Sequence, residues 1–140
     1  MKDEPKTCWQ GSPSKSEKPW GYEVSWASLL GVCGKVLFIN KDHSTSFKYY
    51  LNKDEVLLVR RGRVRILWGD ENSTLQKYPS EFNSVNLKEG DSFCIQSGCP
   101  YRITAEEDSE IFEIGSSAVS SKAIMLFDEY GRVNKPISRD

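Results

Sequence analysis

The sequence predicts an all-β fold, a sandwich or barrel built as one domain. Three observations carry this expectation. Short β-type runs follow one another closely, turn residues separate them, and no stretch sustains a helical period. The length of 140 residues suits a single hydrophobic core.

The runs can be taken in chain order. Residues 1–17 are rich in Lys, Ser, Pro and Glu with almost nothing to bury, and read as a flexible arm. From Pro19 the composition changes. Tyr22-Glu23-Val24-Ser25-Trp26 alternates apolar and polar residues, and Lys35-Val36-Leu37-Phe38-Ile39 does so less strictly. Further strands are expected over residues 46–51, 56–59, 64–68, 84–87, 92–95, 101–104 and 111–114. Asn52-Lys53-Asp54, Arg61-Gly62, Gly69-Asp70-Glu71-Asn72, Glu89-Gly90-Asp91 and Gly98-Cys99-Pro100 punctuate them. The barrel is thus expected over residues 18–118, with a C-terminal extension over 119–140. Val56-Leu57-Leu58-Val59 is apolar at every position, so both of its faces need cover. The interior covers one. An N-terminal strand or a second subunit must cover the other, and a homodimer is expected.

Composition narrows the function. Nineteen basic and twenty acidic side chains leave a net charge of −1, with no basic excess to attract nucleic acid or an anionic membrane. No apolar run approaches the roughly 18 to 20 residues of a membrane span. Met1-Lys2-Asp3-Glu4-Pro5-Lys6 has no apolar segment behind its charges, so no signal peptide is read and a cytoplasmic setting is expected. Cys8, Cys33, Cys94 and Cys99 then read as four ordinary thiols, and no Cys-x-x-Cys pair is present. Asn72-Ser73-Thr74 reads as a polar loop.

The spacing of two motifs says more. Glu55 is followed by six residues and Gly62; Gly90 is followed, eight positions on, by Gly98 and then Pro100-Tyr101. These spacings resemble the two motifs of the cupin superfamily, small β-barrels of the jelly-roll type. The first motif falls on Asp42, Lys48, Tyr50, Glu55 and Gly62, the second on Gly90, Gln96, Gly98, Tyr101 and Ala105. A wider resemblance runs from Lys18 to Arg132. Lys18-Pro19-Trp20-Gly21-Tyr22-Glu23, Gly34-Lys35-Val36-Leu37, Lys53-Asp54-Glu55, Ala105-Glu106-Glu107-Asp108-Ser109, Phe112-Glu113 and Asp128-Glu129-Tyr130-Gly131-Arg132 are similar to the cupin domain of type II mannose-6-phosphate isomerases.

The resemblance implies a double-stranded β-barrel and carbohydrate-related chemistry, specifically sugar-phosphate isomerisation. In metal-bearing members, imidazoles and a glutamate hold a divalent ion. Here Lys48, Tyr50 and Tyr101 stand at the imidazole positions and only Glu55 remains. Protonated lysine has no lone pair and neutral tyrosine is a poor ligand, so no metal and no other cofactor is expected.

Strand parity suggests what takes its place. Lys48 and Tyr50 are two apart and share a face, which in cupins is the cavity. Glu55 and Tyr101 should aim at the same volume, with Lys48 paired to Glu55 in a neutral couple. Three readings follow. The first is a metal-free barrel that binds a sugar or carboxylate with Lys48, Tyr50, Glu55, Gln96 and Tyr101, and with Arg132 at the rim. The second is an isomerase or epimerase in which Glu55 is the base and Tyr50 or Tyr101 the acid. The third is a non-catalytic dimerisation module. His43, the only histidine, reads as a turn residue, and Arg60, Arg61, Arg63 and Arg65 read as a solvated edge.

Overall fold

The computed structural model describes residues 4–29, 31–75, 82–116, 123–127 and 136–137. Two antiparallel sheets face each other across the core. The first has the strand order β1(Ser14–Lys18), β2(Gly21–Leu29), β3(Val32–Ile39), β10(Ser109–Gly115), β5(Glu55–Arg61), β8(Ser92–Ile95). The second runs β12(Pro136–Ile137), β11(Ala123–Phe127), β4(Phe47–Tyr50), β9(Tyr101–Ala105), β6(Arg63–Trp68), β7(Asn83–Lys88). Consecutive strands β4, β5 and β6 alternate between sheets, so the layers are interleaved along the chain, as in a jelly roll. Among the described residues no helix is long and apolar enough to cross a membrane.

All nine expected strands are present. Period-two alternation places Leu57 and Val59, Val64 and Ile66, Ile103 and Ala105, and Leu37 and Ile39 inside, each almost fully buried. Burial of this set supplies the main driving force for folding. Gly62 joins β5 to β6 with φ 92°, and a Cβ there would meet Ser109 Oγ and the Asp108 carbonyl. Only glycine fits that turn without strain.

Two further strands lie towards the ends of the chain. Ser14-Lys15-Ser16-Glu17, read as the end of a flexible arm, forms with Lys18 a strand paired with β2. Edge pairing uses backbone groups and needs no apolar side chain, so composition could not reveal it. Within the expected C-terminal extension, Ala123-Ile124-Met125-Leu126-Phe127 forms β11 beside β4, with Ala123 and Met125 buried.

The Val56–Val59 run behaves as its parity requires on one side. Leu57 and Val59 enter the core, while Val56 is half-buried and Leu58 is 37% exposed on the outer face. Val24, Val36, Phe112 and Leu58 are cross-strand neighbours in one row of that face, and Ile114 lies opposite Val56 in the next. Trp26 and Ile114 are each 51% exposed there. The N-terminal strand does not cover this face, because β1 extends the sheet edge beyond β2.

Candidate functional site

Towards one end of the barrel the interior stops being apolar. Glu55 opens β5 and is 2% exposed, Glu113 lies on β10 at 7%, and Lys53, just before β5, is 9% exposed. Tyr101 opens β9 and is fully buried; its hydroxyl donates to Glu55 Oε1 at 2.8 Å. Lys48 is the cross-strand partner of Tyr101, and its Nζ lies 5.3 Å from the Tyr101 ring centroid and 6.0 Å from that of Tyr50. Lys48, Tyr50, Glu55 and Tyr101 are therefore gathered on facing strands. Lys48 and Tyr50 are half-buried, less enclosed than Glu55 and Tyr101.

The ion pairing differs from the expected one. Lys53, not Lys48, neutralises Glu55: its Nζ is 3.2 Å from Glu55 Oε2 and 3.8 Å from Glu113 Oε2. Lys53 sits two residues before Glu55 and reaches the same face. Gly115, opposite Glu55 on β10, leaves the space its stem uses: a Cβ at Gly115 would lie 2.8 Å from Lys53 Cε. A second couple lies alongside, with Lys35 Nζ 3.2 Å and Lys18 Nζ 3.7 Å from Glu23 Oε1.

The electrostatics follow from burial and these pairs. Burial opposes the Glu55 charge, but Lys53 and then Lys48 outweigh it and hold the carboxyl below its usual range. Glu113 goes the other way: burial first, then the Glu55 charge, pushes its carboxyl up to about 8. Two close carboxylates do not both ionise in a low-dielectric interior, so the pair shares one proton, carried on Glu113. Burial works against the Lys53 ammonium as well, yet Glu55 and Glu113 raise its pKa. For Lys48 burial prevails and lowers it, despite Glu55 and Glu113. Burial and then Glu55 raise both phenols well above 10, so Tyr50 and Tyr101 serve as hydrogen-bond groups.

Other expected residues lie elsewhere. Gln96 is exposed after β8, with its carbonyl accepting from the Cys99 amide, because β8 parity turns Phe93 and Ile95 inward and Gln96 outward. Arg132 lies outside the described residues. His43 is a turn residue whose Nδ1 lies 3.0 Å from the Lys41 carbonyl. Arg60, Arg61, Arg63 and Arg65 are exposed, and Arg60 and Arg63 lie near Glu89 and Glu107 at 3.9 and 4.0 Å, an edge of weak surface pairs. Lys53, Glu113, Lys35 and Glu23 were not singled out from the sequence. One signal was legible for Glu113, which stands between Phe112 and Ile114 in an otherwise apolar run, whereas Glu23 fits the polar side of an alternating strand and gave none.

No protein-family model and no curated protein matches the chain. Solved structures do. KdgF from Halomonas sp. superimposes with a TM-score of 0.60 at 13% identity, over 76% of this chain and 88% of that one. A cupin-superfamily sugar phosphate isomerase from Silicibacter pomeroyi gives 0.57 at 12%, over 76% and 66%. Tomato vicilin gives 0.62 at 16%, over 84% of this chain and 32% of the longer one. The fold is a cupin β-barrel.

The donor set in this cupin barrel does not fit the divalent ion that the fold often holds. Both Glu55 oxygens are engaged, by Tyr101 and by Lys53, and the Lys53 ammonium already offsets the carboxylate charge. Among the described residues no three His, Cys, Asp or Glu side chains gather to hold a metal.

Proposed function

We propose that this chain is a metal-free small-molecule-binding cupin that takes a sugar or carboxylate ligand against Lys48, Tyr50, Glu55 and Tyr101. One observation carries the reading: Lys48 and Tyr50 point into the barrel yet stay partly open to solvent, beside the buried Glu55–Tyr101 hydrogen bond. A plugged scaffold would seal these positions with packed side chains. The sugar class draws support from the resemblance to mannose-6-phosphate isomerase cupin domains and from the isomerase among the structural neighbours.

A second reading, an isomerase or epimerase, is favoured by the single proton shared between Glu55 and Glu113. An acid–base group acts best when it titrates near the working pH, and Glu113 does so, whereas the phenols are held too high. In this version Glu113 replaces Tyr50 or Tyr101 as the proton carrier.

The outer face of the β2–β3–β10–β5–β8 sheet supports a homodimer, since Trp26, Leu58 and Ile114 remain exposed on it. The free thiols support a reducing, cytoplasmic setting.

The test is titration with mannose 6-phosphate and galacturonate, read by the fluorescence of Trp68, which lies in the same cross-strand row as Tyr101 and Lys48. A saturable change that Lys48→Met weakens and Trp68→Phe silences is expected. No heat by calorimetry and no optical change at about 10 mM of either compound, weaker than any useful site, would sink the proposal.

A further inference from the structure

Two exposed apolar features meet at one corner of this barrel. The first is the outer face of the β2–β3–β10–β5–β8 sheet. In its most open row the Trp26 ring lies over Gly34, and Gly34, Ile114, Val56 and Cys94 follow as successive cross-strand partners. The second is the segment before β1. Every residue from Glu4 to Pro13 is exposed, and Trp9, the one large apolar side chain among them, is 69% exposed. This arm joins the sheet at Ser14, which pairs with Ser25, the residue before Trp26. Pro13 has no N–H to lengthen that ladder, so the chain leaves the sheet edge beside the apolar row.

Size decides how the two features combine. With strands about 4.8 Å apart and same-face residues about 6.8 Å apart, the apolar face measures roughly 20 Å by 20 Å, or about 400 Å². A stable interface takes about 800 Å² from each partner, so packing face on face supplies only about half. The remainder has to come from a segment at the rim. Trp9 is five residues from Ser14, a reach of about 17 Å when extended, enough to cross the neighbouring strands of a face packed against it. On its own copy the arm does not cover the face, since Trp9, Trp26 and Ile114 all stay at least half exposed. We propose that two copies exchange their arms: residues 4–13 of each lie on the outer sheet face of the other, with Trp9 anchored in the row of Trp26, Ile114 and Val56. A two-fold axis between the faces makes the exchange reciprocal, so the contact closes and leaves neither face open. Tryptophan suits the anchor, because it buries a large area at the cost of few rotors. The inference rests on the homodimer reading above and goes beyond it by naming the segment that completes the contact.

The experiment uses the full chain in two measurements. Sedimentation velocity over a concentration series compares the wild type with Trp9→Ser, a change outside the core that leaves the barrel folded by circular dichroism. The expected result is a wild-type dimer whose dissociation constant rises roughly tenfold or more in the variant, as for an anchor residue. Cys8, next to Trp9, and Cys94, in the apolar row, are both exposed and serve as reporters for the second measurement. Chain with ordinary and with heavy nitrogen is mixed, equilibrated, treated with a bismaleimide and mapped by mass spectrometry. Cys8–Cys94 links that join one heavy and one light peptide are expected. Links only within a copy, or none at all, would overturn the exchange. A dimer that Trp9→Ser leaves unchanged would overturn it too, while the homodimer reading stands. A wild-type monomer throughout would remove both.

Discussion

The two ends of this barrel are built from the same strands but solve opposite problems. Within β10, Ile111 faces Leu37 and Val59 in the closed end, and two residues on Glu113 faces Lys35 and Leu57 in the polar end. Within β9, Ile103 is sealed beside Ile66, while Tyr101 turns its hydroxyl to Glu55. The closed end is held by apolar burial, which is non-directional and tolerant of substitution by similar volume. The polar end depends on specific pairs, because each desolvated charge needs its own partner. Strength and reactivity are thus separated along each strand.

Mutations can test that separation. The largest effect is expected at Lys53. Lys53→Met strands Glu55 beside Glu113 and should destabilise by about 3–5 kcal/mol in denaturant unfolding at neutral pH, less what protonation of Glu55 recovers. Adding Glu55→Gln should restore part of the loss, and strict additivity would show that the two side chains are not coupled. Ile111→Ala, in the closed end, should lower stability by about 2–5 kcal/mol through lost burial and a residual cavity, with no dependence on pH between 5 and 8. A marked pH dependence would mean that the two ends are linked.

Gly115→Ala comes next. The backbone there suits alanine, but its Cβ would press on Lys53 Cε, so a loss of about 1–3 kcal/mol is expected, partly relieved in the Lys53→Ala background, which removes that atom. Lys48→Met should move stability by less than about 1 kcal/mol, or raise it, because burial disfavours the Lys48 charge and no carboxylate among the described residues pairs with it. A large loss would restore the Lys48–Glu55 pairing that the sequence suggested.

The pH profile offers a finer test. Glu113 has a folded pKa of about 8, above its ordinary 4.5, so between these values the folded state holds a proton that the unfolded chain has released. Its contribution to stability therefore falls as pH rises through that window. Glu55 is depressed and acts in the opposite sense: its contribution is present above the ordinary value and is lost as pH falls through the lower folded one. Glu113→Gln should flatten the decline between about pH 5 and 8 in thermal unfolding. An unchanged slope would show that the shared proton is not on Glu113.

How much of this was legible before the fold is clear from particular residues. Lys48 and Tyr50 share a face by parity alone, and Glu55 and Tyr101 were placed with them by motif spacing. Lys53 was read as turn punctuation in Asn52-Lys53-Asp54, because a hydrophilic run before a strand looks the same whether its lysine bends outward or inward. Glu113 was read only within the strand over 111–114 and the Phe112-Glu113 segment of the resemblance. Its role depends on Glu55, which is 58 positions away in sequence and lies on the neighbouring strand β5, with Gly115 directly opposite it.

The sequence by itself determined the all-β class, the nine central strands, and the replacement of the imidazole positions by Lys48, Tyr50 and Tyr101. These are local properties, set by period-two patterning and turn chemistry over a few residues. Which face of a strand turns inward was not always legible, since in β2 the buried residue is Glu23 while Val24 and Trp26 face outward. Only the tertiary structure decided that Lys53 holds Glu55, that Glu113 shares its proton, and that among the described residues no carboxylate forms an ion pair with Lys48. Charge pairing in an interior is settled by distances between strands remote in sequence, and by the room that a residue as small as Gly115 leaves between them.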